Sequence, residues 1–260
     1  PQTELNTPEN RRKFQMRSMH RIMPRSFGCY RLAGRDFVAV ESEEVLVENS
    51  TLPFDDYLTC REMDLTVEIL HNGKVYSELQ GLCKIYGLSW FDFILRFFDK
   101  RRTYSAELRQ MYDEFKASHS VRLWATRREL EESVARNIDV MLHDDRGTNE
   151  MSMAKATAFF KLFEPINTIL FNELASWLDE KNQLDDSTRF FLEEYRRFSQ
   201  LRKTDLIHYE EEFVETFSFD LMKLEETHFE APPEETKLAK PRRYSVTHLP
   251  PQREQLSAYM

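Results

Sequence analysis

The sequence predicts a mainly α-helical protein, with a β-hairpin ahead of the helices and one or two short strands near the C-terminus. Three observations carry this prediction. From residue 51 to about residue 205, apolar residues recur at helical spacing, and helix-start and helix-stop residues mark the breaks. Before that stretch, two β-rich runs flank Ala33-Gly34-Arg35-Asp36. After Leu206 the apolar period shortens to two. The chain therefore reads as residues 1–50 with the hairpin, 51–205 helical, and 206–260 a mixed strand and linker tail. With 260 residues, 41% of them apolar and 13% aromatic, it is long enough to bury a core.

Thr7-Pro8-Glu9-Asn10 is a helix start, with a hydroxyl cap, proline at the first helical position and an acid in the first turn. This helix is expected to be short and to end before Pro24. The runs Phe27–Leu32 and Phe37–Val47 follow as hairpin strands, and Gly34 supplies the positive φ of the turn. Ser50 or Thr51 is then expected to cap a long helix, whose first turn holds Pro53, Asp55 and Asp56 and which stops at Asn72-Gly73. A helix over Lys74–Tyr86 ends at Gly87. Ser89 caps "WFDFILRFF", apolar on nearly every side and so expected to be buried on most of them. Further helices are expected over 103–118, 126–143, 150–180 and 186–203, with a kink or joint at Pro165. Phe217, Phe219 and Leu221 alternate as a strand. "APPEETKLAKPRR" reads as a Pro- and charge-rich linker, and "YSVTH" as one more short strand. No internal repeat is present.

Composition excludes several classes of function. With 36 basic and 45 acidic residues the formal charge is −9, so the surface as a whole does not attract nucleic acid or anionic lipid. Basic runs such as Arg11-Arg12-Lys13 and Lys100-Arg101-Arg102 are short and suit solvated helix ends. Cys29, Cys60 and Cys83 form neither a disulfide framework nor a CxxC pattern, and are expected to be free thiols. No apolar run approaches the ~20 residues of a bilayer span, and no secretory leader is read. A cytoplasmic protein without a membrane span is the expectation.

Few residues carry a chemical signal. Two E-x-x-H spacings occur, Glu68 with His71 and Glu225 with His228. Di-iron bundles use this spacing, but these two sit in dissimilar contexts and read better as helix-end or solvated histidines. His143-Asp144-Asp145 resembles a metal-binding HD pair and lacks the companion histidines such a site requires; it reads better as a helix end running into the Gly147 turn. There is no HExxH, GxSxG, Walker loop or dinucleotide fingerprint. No catalytic or metal-ligating residue is therefore assigned. Tyr86, Trp90, Phe91, Phe93, Phe97 and Phe98 read as core before they read as a ligand pocket. Glu41, Glu43, Glu44 and Glu48 crowd the second hairpin strand. Either they are solvated, or an arginine such as Arg25 or Arg61 set against them shapes a polar pocket.

The order of motifs resembles the stretch that follows the catalytic barrel in cobalamin-dependent radical SAM enzymes. Three segments carry the likeness: Pro1–Leu5 with Thr7-Pro8-Glu9; Arg25-Ser26-Phe27-Gly28-Cys29-Tyr30; and Glu43-Glu44-Val45 through Thr51–Leu58. "YGLSWFDFILRF" fits the continuation, so the likeness covers about residues 1–100. It implies a fragment of a larger α/β-barrel enzyme, in which residues 1–50 are the barrel-exit segment. The chain has no CxxxCxxC cluster loop and no cobalamin domain. The 4Fe–4S cluster, S-adenosylmethionine and cobalamin are thus implied for a parent enzyme, held by upstream barrel and cobalamin domains of the same parent chain. A segment leaving the C-terminal rim of a barrel lies near its open mouth. The resemblance therefore implies that Arg25, Tyr30, Glu44 and Arg61 face substrate, while the helical remainder braces domains or recognises the substrate.

The rival reading is a self-contained helical adaptor that binds a protein partner and catalyses nothing. A third, a metal hydrolase, would use His143 and Asp144. The accessory-region reading expects an uncovered apolar face on the hairpin and first helix; the adaptor reading expects a closed core and a groove.

Overall fold

Among the described residues, a β-hairpin and a second antiparallel strand pair bracket a run of helices in chain order, so the chain is mainly α with a few strands. The computed structural model describes residues 6–143, 149–203 and 212–251, with the side chain of Arg25 excepted. The chain divides into two compact units that alternate along the sequence: Pro1–Leu65 with Gln110–Lys155, and Thr66–Arg109 with Ala156–Met260.

The first unit is built on a long hairpin. Helix α1 (Pro8–Lys13) opens as expected, with the Asn10 amide donating to the Thr7 hydroxyl at 3.2 Å. Strand β1 (Arg17–Leu32) pairs with β2 (Arg35–Glu48). Leu32 lies opposite Arg35, so the turn is the dipeptide Ala33-Gly34, with φ of +50° and +75°. Two successive left-handed residues make the primed turn whose twist matches that of the strands. The turn is thus tighter than the four residues expected. Asp36 belongs to β2 and receives two hydrogen bonds from Arg31, at 2.6 and 2.8 Å.

Strand β1 begins at Arg17, well before the expected Phe27. By sequence, the stretch up to Pro24 is expected to hold only the end of the first helix, and proline has no N–H to give to a ladder. The hairpin accommodates it in an irregularity, where Met23, Pro24, Arg25 and Ser26 lie opposite Glu41 alone.

Helix α6 (Arg127–His143) lies along the hairpin. Its buried Leu130, Val134, Ile138 and Met141 recur at spacings of four, four and three, which aligns them on one face. They pack against Ile22, Phe27, Val38, Val40 and Trp124. Trp124 is fixed by a two-way backbone bridge with His20, at 2.7 and 2.8 Å.

Helix α2 (Phe54–Val67) runs on through a π-helical turn over Glu68–Asn72. Its start falls later than expected. The Asn49 side chain accepts from the amides of Thr51 and Leu52, forming a turn, and the Pro53 carbonyl takes the first helical bond from Tyr57.

In the second unit, α3 (Ser77–Ile85) and α4 (Trp90–Lys100) precede α5 (Ala106–Val121), which passes into the first unit without the expected break near Ser118. Helix α4 is capped by Ser89, whose oxygen accepts from the Asp92 amide at 3.2 Å. It buries Phe93, Ile94, Phe97 and Phe98 but leaves Phe91 61% exposed, so it presents one apolar face rather than burial all round.

The segment 150–180 divides into α7 (Glu150–Ala156), a π-turn over Thr157–Lys161 and α8 (Phe163–Glu180). Pro165 sits in the first turn of α8, where its missing N–H would have had no helical partner. Helix α9 (Asp186–Lys203) packs on α8.

The expected linker is instead structured. After β3 (Phe213–Phe219), Asp220 caps the short helix α10 (Leu221–Glu226), and Lys237–Val246 forms β4, antiparallel to β3. Pro241 falls in the register shift opposite Ser218, the same device that accommodates Pro24. Edge-on aromatic contacts join α9 to this second strand pair: Phe191 with Phe219, Phe198 with Phe217, and Phe198 with Tyr244. Phe217 and Phe219 are almost completely buried. Each such side chain stabilises the fold by roughly 1.5–3 kcal/mol relative to exposure. Among the described residues, no helix is long and apolar enough to cross a membrane.

Candidate functional site

The four residues singled out from the sequence all lie in the first unit, but they do not form one cluster. Tyr30 pairs with Phe37 close to the hairpin turn, whereas Glu44 pairs with His20. Seven residues of β2 separate the two rungs, roughly 24 Å at ordinary strand rise. Tyr30 is 54% exposed and stacks on Phe37 with ring centroids 5.7 Å apart. Leu32 and Phe37 are also exposed at this end of the hairpin. Arg25 lies in the irregular part of β1, and its side chain falls outside the described residues, as do Pro1–Leu5 of the motif stretch.

Glu44 is held at the opposite end. The Ser18 hydroxyl donates to its carboxylate and Arg11 pairs with it at 2.8 Å. The Ser18 hydrogen bond, helped by Arg11, keeps the Glu44 carboxyl below its usual range. Its neighbours are matched in the same way, Glu43 by Arg21 at 2.5 Å and Glu48 by Arg17 at 2.6 Å. The arginines that meet the hairpin carboxylates thus come from α1 and β1. Among the described side chains, Arg61 is not one of them.

Arg61 turns to a histidine that the sequence reading missed. Its Nε–H donates to His119 Nε2 at 3.1 Å, and Nη1 donates to Asp64 at 2.6 Å. Since Nε2 accepts, the ring proton is on Nδ1, which faces the Phe115 carbonyl at 3.3 Å. Burial of His119, and after it the adjacent Arg61 charge, push the imidazole pKa down; Glu150 works against this shift and Arg21 adds to it. Glu150 is itself paired with Arg122 at 3.2 Å. His119 sits one helical turn after Phe115, with ring centroids 4.4 Å apart.

The E-x-x-H carboxylates have other partners. Glu68 accepts from Asn72 at 2.6 Å, while His71 accepts from the Trp90 indole N–H at 3.2 Å. Glu225 accepts from Tyr195 at 2.9 Å and pairs with Arg202. His228 lies beyond the end of α10 with a left-handed backbone. His143 contacts the Asp139 carbonyl from the last turn of α6, and Asp144 and Asp145 lie outside the described residues. Among the described residues, no group of three or more His, Cys, Asp or Glu side chains is placed to hold a metal. Cys29 and Cys60 are exposed and Cys83 is buried in the second unit. Such a set does not fit a three-cysteine cluster loop.

A buried polar network occupies the second unit. Glu78 of α3 is 1% exposed, and its Oε1 receives the Ser199 hydroxyl at 2.7 Å together with the Lys203 ammonium. The Ser199 hydroxyl is also 3.1 Å from Asn167 Oδ1. Burial pushes the Lys203 pKa down, opposed by Glu78. Beside this network lies a cavity of about 410 Å³, with Val75, Phe159, Phe160 and Phe163 on its apolar side. No sequence motif announces this network. Glu78, Ser199 and Lys203 are 121 and 4 residues apart, and only the i, i+4 spacing on α9 is local.

The chain matches no protein-family model and no curated protein sequence.

Proposed function

We propose that this chain is the post-barrel region of a cobalamin-dependent radical SAM enzyme, a cytoplasmic protein, and that its long hairpin docks against the barrel. The observation that carries the reading is the uncovered apolar end of that hairpin. Tyr30, Leu32 and Phe37 are exposed at 54%, 70% and 45% next to the turn. Met23 and Leu46 are exposed singly further along the hairpin, whose remaining apolar residues include a set packed against α6. Exposed apolar side chains grouped at one place on a soluble unit mark a contact surface. They fall within the motif stretch on which the resemblance rests.

This geometry narrows the roles of the four candidates. Glu44 accepts from Ser18 and pairs with Arg11 through Oε1, and Arg61 is tied to His119 and Asp64 through Nε and Nη1. They stiffen the base of the hairpin and α2. Tyr30 carries the accessible ring and phenol, and is the candidate for contact with the barrel mouth or its substrate. The iron–sulfur cluster, S-adenosylmethionine and cobalamin would be held by other domains of the parent protein, since the cysteines here do not fit the cluster.

The test is the whole protein, purified without oxygen. It is expected to carry a four-iron cluster and a corrinoid, both visible by absorbance and metal analysis. A whole protein that binds neither after reconstitution would sink the reading and leave the helical adaptor in its place.

A further inference from the structure

The second unit contains an acid oxygen with no hydrogen-bond partner among the described residues, on a residue that lines an apolar cavity. Glu78 is almost completely buried, and while Oε1 receives Ser199 and Lys203, Oε2 is buried with no hydrogen-bond partner. A buried carboxylate oxygen without a donor keeps its desolvation cost uncompensated. A ligand that brings a donor removes that cost. Glu78 stands in the wall of the 410 Å³ cavity whose apolar side is Val75, Phe159, Phe160 and Phe163. The cavity falls within the size range of small-molecule sites, which pair an apolar lining with a few fixed polar groups.

We propose that this cavity binds an aromatic acid that carries a hydroxyl or N–H donor at the end of its ring opposite the acid group. The ring would lie among Phe159, Phe160 and Phe163, where offset or edge-on contacts suit it. The donor would reach Glu78 Oε2 after a rotation of the carboxylate towards the cavity, since that oxygen has almost no accessible surface at rest. The acid group would lie towards Lys74, since Lys74, Arg202 and Lys203 line the cavity with Glu78 as the one carboxylate among the described lining residues. Arg202 and Lys203 are already paired with Glu225 and Glu78, so among the described lysines and arginines of the lining Lys74 is the one to meet the ligand's charge, with His248 also in the wall. Lys203 acts as a positioning residue. With Ser199 it holds Oε1 and anchors the carboxylate at that one oxygen. The site is independent of the proposed docking of the first hairpin and stands or falls separately from it.

The probe is 4-hydroxyphenylacetate, titrated calorimetrically into the protein, with 4-methoxyphenylacetate as the analogue that cannot donate. One molecule is expected to bind per chain, with at least tenfold weaker binding for the methoxy compound, the equivalent of about 1.4 kcal/mol. Phe160→Ala removes a wall residue that is 53% exposed, so the fold is expected to survive and the affinity to fall. Glu78→Gln is expected to reduce the preference for the hydroxyl, and circular dichroism reports whether that variant folds. Absence of saturable heat from 4-hydroxyphenylacetate would overturn the proposal. Equal affinity for the two compounds, or affinity unchanged by Phe160→Ala, would overturn it as well.

Discussion

Arg61 donates to His119 Nε2 at 3.1 Å, so a permanently charged guanidinium and a neutral imidazole share one hydrogen bond. Protonating that imidazole removes the acceptor and places two cations together. The folded-state pKa of His119 lies below its unfolded value, by burial first and Arg61 second. Below the unfolded value of about 6.5, the unfolded chain takes up a proton that the folded one refuses. The stabilising contribution is therefore complete above that pH and is lost as pH falls towards the folded pKa. Thermal unfolding midpoints of the native protein are expected to drop between pH 7 and pH 5. His119→Gln, which keeps an acceptor for Arg61 and cannot titrate, should show a shallower drop. Parallel curves for the two proteins would show that His119 is not the titrating group.

Glu78 and Lys203 should behave as a unit. Removing one partner strands the other charge in the interior, which costs about 3–5 kcal/mol for a buried pair. Lys203→Met is expected to lower stability by an amount towards that range, since the lysine keeps a little solvent contact. The combination Lys203→Met with Glu78→Gln should cost less than the sum of the two single changes. Chemical denaturation of the three variants measures the coupling, and additive losses would count against a shared network.

The turn of the first hairpin makes a prediction of opposite signs at adjacent residues. Gly34 has φ +75° and nothing within 4 Å of an added Cβ, so Gly34→Ala costs backbone strain alone, of order 1 kcal/mol. Ala33, at φ +50°, already bears that strain. Ala33→Asn creates the Asn-Gly pair that primed turns favour, and is expected to stabilise by a few tenths of a kcal/mol or more. Denaturation midpoints of the two variants should move in opposite directions.

Much of the fold was legible because periodicity and punctuation agreed. Thr7-Pro8 and Ser89 place their caps where they were expected, and the apolar series on α6 and α9 mark true core faces. The two prolines misled. By sequence, Pro24 is expected only to lie beyond the end of the first helix and Pro241 to belong to a linker, yet each sits within a strand, in a register shift that leaves the ladder continuous on either side. Two-stranded sheets offer such places because every strand is an edge. Phe91 misled in another way: composition alone cannot tell an aromatic that packs from one that does not. The candidate site was less legible still. Arg61 and His119 are 58 residues apart, and Glu78 and Ser199 are 121. Local spacing says nothing of pairs that only tertiary packing brings together.

The thiols should separate by exposure. Burial pushes the Cys83 thiol up to about 12, while Cys29 and Cys60 lie at the surface. The thiolate is the reactive form. Brief iodoacetamide treatment at pH 8 is expected to add two labels to the native protein, located by mass spectrometry on Cys29 and Cys60, with Cys83 labelled only after denaturation. Early labelling of Cys83 would mean that α3 opens locally.

The proposed parentage is tested most directly by reading the gene on the 5′ side of the Pro1 codon. The account predicts an open frame that carries a CxxxCxxC motif within roughly 250 residues, the length of an α/β barrel, with a cobalamin-binding segment further upstream. A start codon immediately before Pro1, with a stop codon in frame behind it, would contradict the account.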